Sequence, residues 1–219
     1  MSFQLSAFSS QRSAISYQLS VISYQLAKIY PYSDFRRNLK MHCQPFILRP
    51  FFSSDSLPDL AITGYLIRRG AGLAIGYLLR GSLEEIVVPP PVDPPARRRR
   101  LWEDTCLEFF LAPKDSPGYW EFNLSPAGHW NVYGFQAYRQ GMTEAEAFST
   151  LPFRVEGRSD SLVLHLEFDL AGIAAADQRL DAAVAAVIKG ADGRVTYWAL
   201  AHPGPQPDFH RRDSFIIEL

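Results

Sequence analysis

Hydrophobic and polar residues alternate most strictly between Leu101 and Met142, and that stretch predicts three consecutive strands. Thr105 to Leu111 and Tyr119 to Leu124 each keep a two-residue period, with the turn-rich Pro113-Lys114-Asp115-Ser116-Pro117-Gly118 between them. Ser125-Pro126-Ala127-Gly128 then turns the chain into a third strand, His129 to Gln136. Pairing in that order puts Glu108, Glu121 and Asn123 on one face, with the two glutamates opposite each other. Leu107, Phe109, Trp120, Phe122 and Leu124 fall on the other. The expectation is a polar sheet face backed by an aromatic layer.

Similar punctuation runs through the rest of the chain. Leu60 to Arg68 and Gly72 to Arg80 predict a hairpin turning at Arg69-Gly70-Ala71. Glu84 to Val88 predicts a short strand stopped by Pro89-Pro90-Pro91, before a proline-rich loop that ends in a solvated run, Arg97 to Arg100. After the central stretch, a polar segment with Glu144 and Glu146 predicts one helical turn. Phe153 to Gly157 and Ser161 to Asp169 predict another hairpin, and Leu170 to Ala176 a short helix. Ala182 to Lys189 and Val195 to Ala201 pair across Gly190-Ala191-Asp192-Gly193, and Ser214 to Leu219 closes the chain as a strand. Roughly ten short strands with little helix predict an all-β fold, an antiparallel β-sandwich of jelly-roll or immunoglobulin-like type.

The first forty residues follow a different rule. Ser16-Tyr17-Gln18-Leu19-Ser20 returns seven residues later as Ser23-Tyr24-Gln25-Leu26-Ala27, and Ser2-Phe3-Gln4-Leu5-Ser6 is an earlier variant in the same phase. Serine, tyrosine and glutamine fill a coiled-coil seam poorly. A seven-nucleotide tandem repeat read in one frame gives the same period. Residues 1–41 are therefore expected to be a low-complexity extension, disordered or loosely helical and without function, with the functional domain spanning residues 42–219.

Composition narrows the function classes. At 219 residues and 47% hydrophobic, the chain can bury the core of one domain. A formal net charge of −1 asks for neither nucleic acid nor an anionic membrane as partner. Only two cysteines occur, Cys43 and Cys106, so a disulfide framework is not expected. No apolar run reaches the length of a membrane span, and the N-terminus lacks the order of a signal peptide. A cytoplasmic protein is the expectation.

Three motifs carry a resemblance: Leu101-Trp102-x-x-Thr105-Cys106-x-Glu108-x-Phe110, then Tyr119-x-Glu121-x-Asn123-x-Ser125-Pro126, then Trp130-x-x-Tyr133-x-Phe135-x-x-Tyr138-Arg139-x-Gly141-Met142. With His202-Pro203, Pro207-Asp208-Phe209-His210 and Phe215, this order resembles the bacterial DOMON-like domain proteins, which are grouped with carbohydrate-binding module family 9-like sandwiches. The resemblance covers about Phe46 to Leu219, and Leu107 departs from it where an aromatic is expected. It implies a β-sandwich whose relatives bind sugars or haem.

The candidate chemistry follows from these residues. A pyranose offers apolar C–H faces and a ring of hydroxyls, so its site needs an aromatic platform and a polar rim. Trp102, Trp130, Tyr133 and Tyr138 are candidates for the platform, and Glu108, Glu121, Asn123 and Arg139 for the rim. The plain alternative makes each tryptophan core and each carboxylate a solvated strand face. Arg139 is expected to pair internally with Glu108 or Glu121, with a clamp on an anionic ligand as the other reading. Haem would draw on Met142 with His129 or His202, but no Cys-x-x-Cys-His occurs, and no cofactor is expected. His202, Asp208 and His210 lie on a proline-stiffened loop, where histidines that bond the neighbouring backbone are expected rather than a metal site.

Glycoside hydrolysis would use Glu108 and Glu121 as its carboxyl pair, but a flat sheet face supplies little of the dry surroundings that raise a carboxyl pKa. Cys106 is expected in the core rather than as a nucleophile. The combined expectation is a non-catalytic domain whose partner is a carbohydrate or another small molecule, with a protein–protein interaction module as the alternative.

Overall fold

Antiparallel pairing accounts for the regular structure of residues 42–52 and 57–219, which the computed structural model describes. The expected repeat-derived extension, residues 1–41, lies outside the described residues. Among those residues there are twelve strands and three short 3₁₀ turns, and no α-helix. The β-sandwich expected from the alternation is the fold observed.

The first layer grows from a hairpin. β2 (Leu60–Arg69) turns at Gly70, whose φ of 56° suits glycine, into β3 (Gly72–Gly81). β1 (His42–Pro50) adds along β2, β9 (Ser161–Asp169) along β3, and β8 (Phe153–Gly157) along β9. The second layer runs in the order β7 (Thr143–Glu144), β6 (Trp130–Phe135), β5 (Tyr119–Leu124), β4 (Cys106–Pro113), β10 (Leu180–Lys189), β11 (Val195–Ala199). β12 (Ile217–Glu218) pairs beside β10. Among the described residues strand pairing joins the layers at one place, where Arg49 and Pro50 of β1 lie opposite Ala199 and Trp198 of β11.

Between the layers the two-residue period packs one apolar face against the other. Ile62, Leu66, Leu73, Ile75 and Leu79 meet Phe109, Phe122, Val184 and Ile188, all fully or nearly fully buried. Phe109 and Phe122, direct neighbours across β4 and β5, stack at 4.3 Å. Gly64 is required by close approach: a Cβ there would lie 2.0 Å from the Gly76 carbonyl oxygen and 2.4 Å from the Phe46 ring. Tyr77 reaches from the first layer to donate its hydroxyl to the backbone carbonyl of Glu108 at 2.7 Å.

Several local expectations are corrected. Glu84–Val88 is not a strand: Leu83–Glu85 is a 3₁₀ turn and Ile86 makes one bridge to Gly190 before the prolines remove further donors. Leu170–Ala176 forms turns instead of a helix, too short to repay nucleation. The polar segment at Glu144 is the edge strand β7 rather than a helical turn, and the closing strand shrinks to β12 behind the 3₁₀ turn Arg212–Ser214. β1 carried no clear strand signal because Pro45 and Pro50 interrupt it, yet it forms where most of its length has one partner.

Within the arginine run, Arg97 is half-buried instead of solvated. It lies over the Trp130 ring at 4.5 Å and donates to Asn131 Oδ1 at 3.2 Å and to the carbonyls of Ala145 and Phe148. Arg98, Arg99 and Arg100 are exposed, as expected.

Candidate functional site

Small residues open space on the outer face of the second layer. β10 offers Ala183 and Ala185 there, and Ala185 lies between Glu108 of β4 and Ala199 of β11. Bulky groups from segments outside the strands close around that space. The 3₁₀ turn Leu101–Glu103 brings Trp102, and the strap Pro207–His210 brings Phe209 and His210. With Tyr197 from β11 they bound a cavity of about 330 Å³ floored by Glu108 and Glu121. Small-molecule sites start at about 300 Å³, so this one is at the compact end.

The strap is tied down on both sides. Asp208 accepts from Arg139 at 2.9 Å, from the Tyr138 hydroxyl at 2.5 Å and from the backbone N–H of His210 at 3.2 Å. Arg139 occupies the left-handed region at φ 53°, and its own N–H is held by the Tyr119 hydroxyl at 3.1 Å. Further along, Arg212 donates to Asp181 at 2.7 Å and to the carbonyl of Pro113 at 3.1 Å. Beneath the strap, Tyr119 and Phe135 stack at 4.7 Å, and Phe110 meets Phe215 edge-on at 5.8 Å.

This roof changes the electrostatics of the face. Glu108 and Glu121 are only 3% and 4% exposed, so the dry surroundings that a flat face would lack are present. Burial pushes Glu121 up to about 7, partly opposed by the Asn123 amide and by Arg139. Burial, reinforced by Glu121, holds the Glu108 carboxyl well above the usual range. Burial, reinforced by Arg139, pushes His210 down to about 4, so it is neutral near pH 7.

The two glutamates are diagonal neighbours rather than opposite: Glu108 faces Asn123, and Glu121 faces Phe110 on one side and Tyr133 on the other. Oε1 of Glu121 accepts from the Asn123 amide at 2.8 Å, while Oε1 of Glu108 has no hydrogen-bond partner.

The expected site residues are only partly brought together. Trp102, Glu108, Glu121 and Arg139 line the cavity. Asn123 is fully buried and acts behind Glu121. Tyr133 lies under Trp102, with ring centroids 5.9 Å apart, and accepts from Asn131 at 3.0 Å. Tyr138 is 52% exposed and holds Asp208.

Trp130 is a correction. It shares a phase with Val132, on the opposite side of β6 from Tyr133, and packs into the sandwich core at 5% exposure. Arg139 is a second correction, since its ion-pair partner is Asp208 and neither glutamate.

The other candidates resolve by geometry. His202 donates Nε2–H to the carbonyl of Arg49 at 2.8 Å, and His129 accepts the N–H of Ala96 at 3.2 Å. Among the described residues no three His, Cys, Asp or Glu side chains gather as a metal site. Cys106 is fully buried, with its thiol 3.6 Å from Asn123 Oδ1, and burial raises its pKa well above the usual range.

Sequence reasoning missed Tyr197, Phe209 and the role of His210 beside Glu121. Tyr197 was within reach, because the predicted hairpin of β10 and β11 puts it in phase with Val187. The strap was noted as a proline-stiffened segment of the resemblance, but with no period nothing placed it over the Glu108–Glu121 face.

No family model matches the chain, and no curated protein matches it. Among solved structures the fold is similar to a protein from Bacteroides uniformis ATCC 8492, provisionally named a carbohydrate-binding protein. Identity is 16%, with 78% of this chain and 83% of that one covered, at a TM-score of 0.58. It is also similar to a carbohydrate binding module family 9 from Caldicellulosiruptor kristjanssonii in complex with glucose. There identity is 10%, coverage 80% and 82%, and the TM-score 0.50. At these identities the likeness concerns the fold.

Proposed function

We propose that the chain is a non-catalytic binding domain that takes a carbohydrate in the cavity above Glu108 and Glu121. The observation that carries this reading is the cavity itself: aromatic walls over a floor of two buried carboxyl groups. An apolar sugar face finds Trp102, Tyr197 and Phe209 to lie against, and its hydroxyls find carboxyl oxygens held in place by Asn123. Trp130 has no part in the platform. The likeness in fold to a glucose-bound module supports the ligand class, and the motifs of the central stretch support a place among the DOMON-like proteins. A concave, polar-floored site favours a small ligand over a flat protein interface.

Thermal unfolding of the full chain with mono- and oligosaccharides tests the reading. A sugar at about a hundred times its Kd adds roughly 2.7 kcal/mol, which raises Tm by several degrees. The shift should vanish in Trp102→Ala and persist in a surface variant such as Glu156→Gln. No shift with any sugar would sink the proposal.

A second reading draws on one observation, the raised carboxyl of Glu121 at about 7. A carboxyl that ionises near neutrality beside a second one held toward its protonated form can supply the base and the acid that glycoside hydrolysis needs. Turnover of 4-nitrophenyl glycosides that disappears in Glu121→Gln would replace binding by catalysis.

A further inference from the structure

We infer that the sugar this cavity selects carries a free ammonium group; the inference rests on the carbohydrate reading and narrows it. Three observations combine.

First, the floor offers acceptors that the protein leaves unmet. Glu108 lines the cavity at 3% exposure, and Oε1 of its carboxyl has no hydrogen-bond partner. A buried, unpaired carboxyl oxygen is costly, and a ligand donor removes that cost on binding. Oε2 of Glu121 is also underused, since His210 Nε2 stands 3.9 Å away, beyond hydrogen-bond reach.

Second, the site lacks a free positive charge. Among the described residues Arg139 is the only lysine or arginine lining the cavity, and Asp208 neutralises it at 2.9 Å. His210 is neutral near pH 7. Burial holds Glu108 and Glu121 toward their protonated forms, and as they ionise, Glu108, Glu121 and Asp208 come to face Arg139 with an excess of negative charge. Anionic sugars are disfavoured by the same count, and a cation is what restores neutrality.

Third, Trp102, Tyr197 and Phe209 form the walls. Aromatic faces around a carboxylate floor are the surroundings in which a desolvated ammonium is held.

A neutral sugar can bring hydroxyl donors to Glu108, but it does little to stabilise the ionised form of either carboxyl. An ammonium stabilises that form, so its binding should drive protons off Glu108 and Glu121. The other titratable groups facing them are Cys106 from the same strand as Glu108, Tyr119 from the strand of Glu121, Tyr133 from the next, and Arg139, Asp208 and His210 from the roof. None of these exchanges a proton between pH 6 and 8 by its own shift: the cysteine and tyrosines are raised, Asp208 is lowered and His210 is near 4. Affinity for an ammonium sugar therefore rises with pH across that window until the amine itself loses its proton.

Isothermal titration of the full chain with glucosamine, N-acetylglucosamine and glucose at pH 7, in two buffers of different ionisation enthalpy, tests this. The expected result is glucosamine bound at least about tenfold more tightly than the two neutral sugars, with net proton release for glucosamine alone. The preference should shrink in Glu108→Gln, a variant expected to fold because the amide resembles the protonated carboxyl. Equal affinity for all three sugars would overturn the inference and leave the carbohydrate reading standing. Failure of all three to bind would overturn both.

Discussion

Oε2 of Glu121 and Nε2 of His210 stand 3.9 Å apart, and burial moves both groups toward their neutral forms, Glu121 up to about 7 and His210 down to about 4. The Tyr119 hydroxyl lies 2.8 Å from Nδ1 of the same ring and already accepts the N–H of Arg139. A hydroxyl proton donated to Nδ1 would put the ring hydrogen on Nε2, facing Glu121. Burial under the aromatic roof thus shifts both members of the pair toward their neutral forms.

Opposite pH dependences follow from the two members. The folded pKa of Glu121 is raised from 4.5 to about 7, so its stabilising contribution is complete below 4.5 and is lost as pH rises to about 7. His210 is lowered from 6.5 to about 4, so its contribution is complete above 6.5 and is lost as pH falls to about 4. Between about 4.5 and 6.5 each changes the slope of unfolding free energy by up to about 1.4 kcal/mol per pH unit, with opposite sign. Urea unfolding across this window should fall less steeply with pH in Glu121→Gln than in the parent, and more steeply in His210→Gln. Identical slopes in all three would mean the groups titrate normally.

The two tryptophans on either side of the second layer should separate in experiment. Trp130→Ala removes a core side chain and should cost about 3–5 kcal/mol. Trp102 is half-buried over Tyr133, so Trp102→Ala should cost less stability and more sugar affinity. Chemical denaturation with titration calorimetry on both variants would expose a reversed order.

Gly64→Ala places a methyl where the Gly76 carbonyl and the Phe46 ring already stand. Overpacking of this kind costs about 1–3 kcal/mol, which for a chain of this size lowers Tm by several degrees. A Tm within one degree of the parent, roughly the reach of a neutral surface change, would show that β2 and β3 can part there freely.

Asp208→Asn weakens the tie on the strap. The Arg139 pair is partly exposed, so global stability should change by about 1 kcal/mol or less. Hydrogen exchange at the amides of Phe209 and His210 should nevertheless speed up markedly, because local opening of the strap no longer has to break the pair. Unchanged exchange there would place the strap's anchorage in Arg212 instead.

The parts of this molecule legible in the sequence are those with a period. Alternation from Thr105 to Leu124 put Glu108, Glu121 and Asn123 on one face and the aromatic core on the other, as the register has it. Trp130 was named for the platform by residue type and not by phase: it lies opposite Leu124, on the core side, and three positions from Tyr133 it cannot share that residue's face of β6. The polar face looked solvated because its cover comes from a segment some ninety residues later, Pro207 to His210, which has prolines and no period. Burial from a distant irregular strap leaves no local trace, so the raised carboxyl of Glu121 could not be anticipated.

The single joint between the layers sets the order in which the protein can be assembled. Among the described residues β1 pairs with the second layer only through β11, and β4 gains its second paired neighbour only when β10 arrives. Both late strands lie beyond residue 179. A chain emerging from the ribosome therefore carries β4 with an open edge until Leu180–Lys189 has been made. Contacts so far apart in sequence close slowly. Refolding from denaturant is accordingly expected to be slow for a domain of this size, and a chain stalled before β10 to be prone to pairing with its own copies.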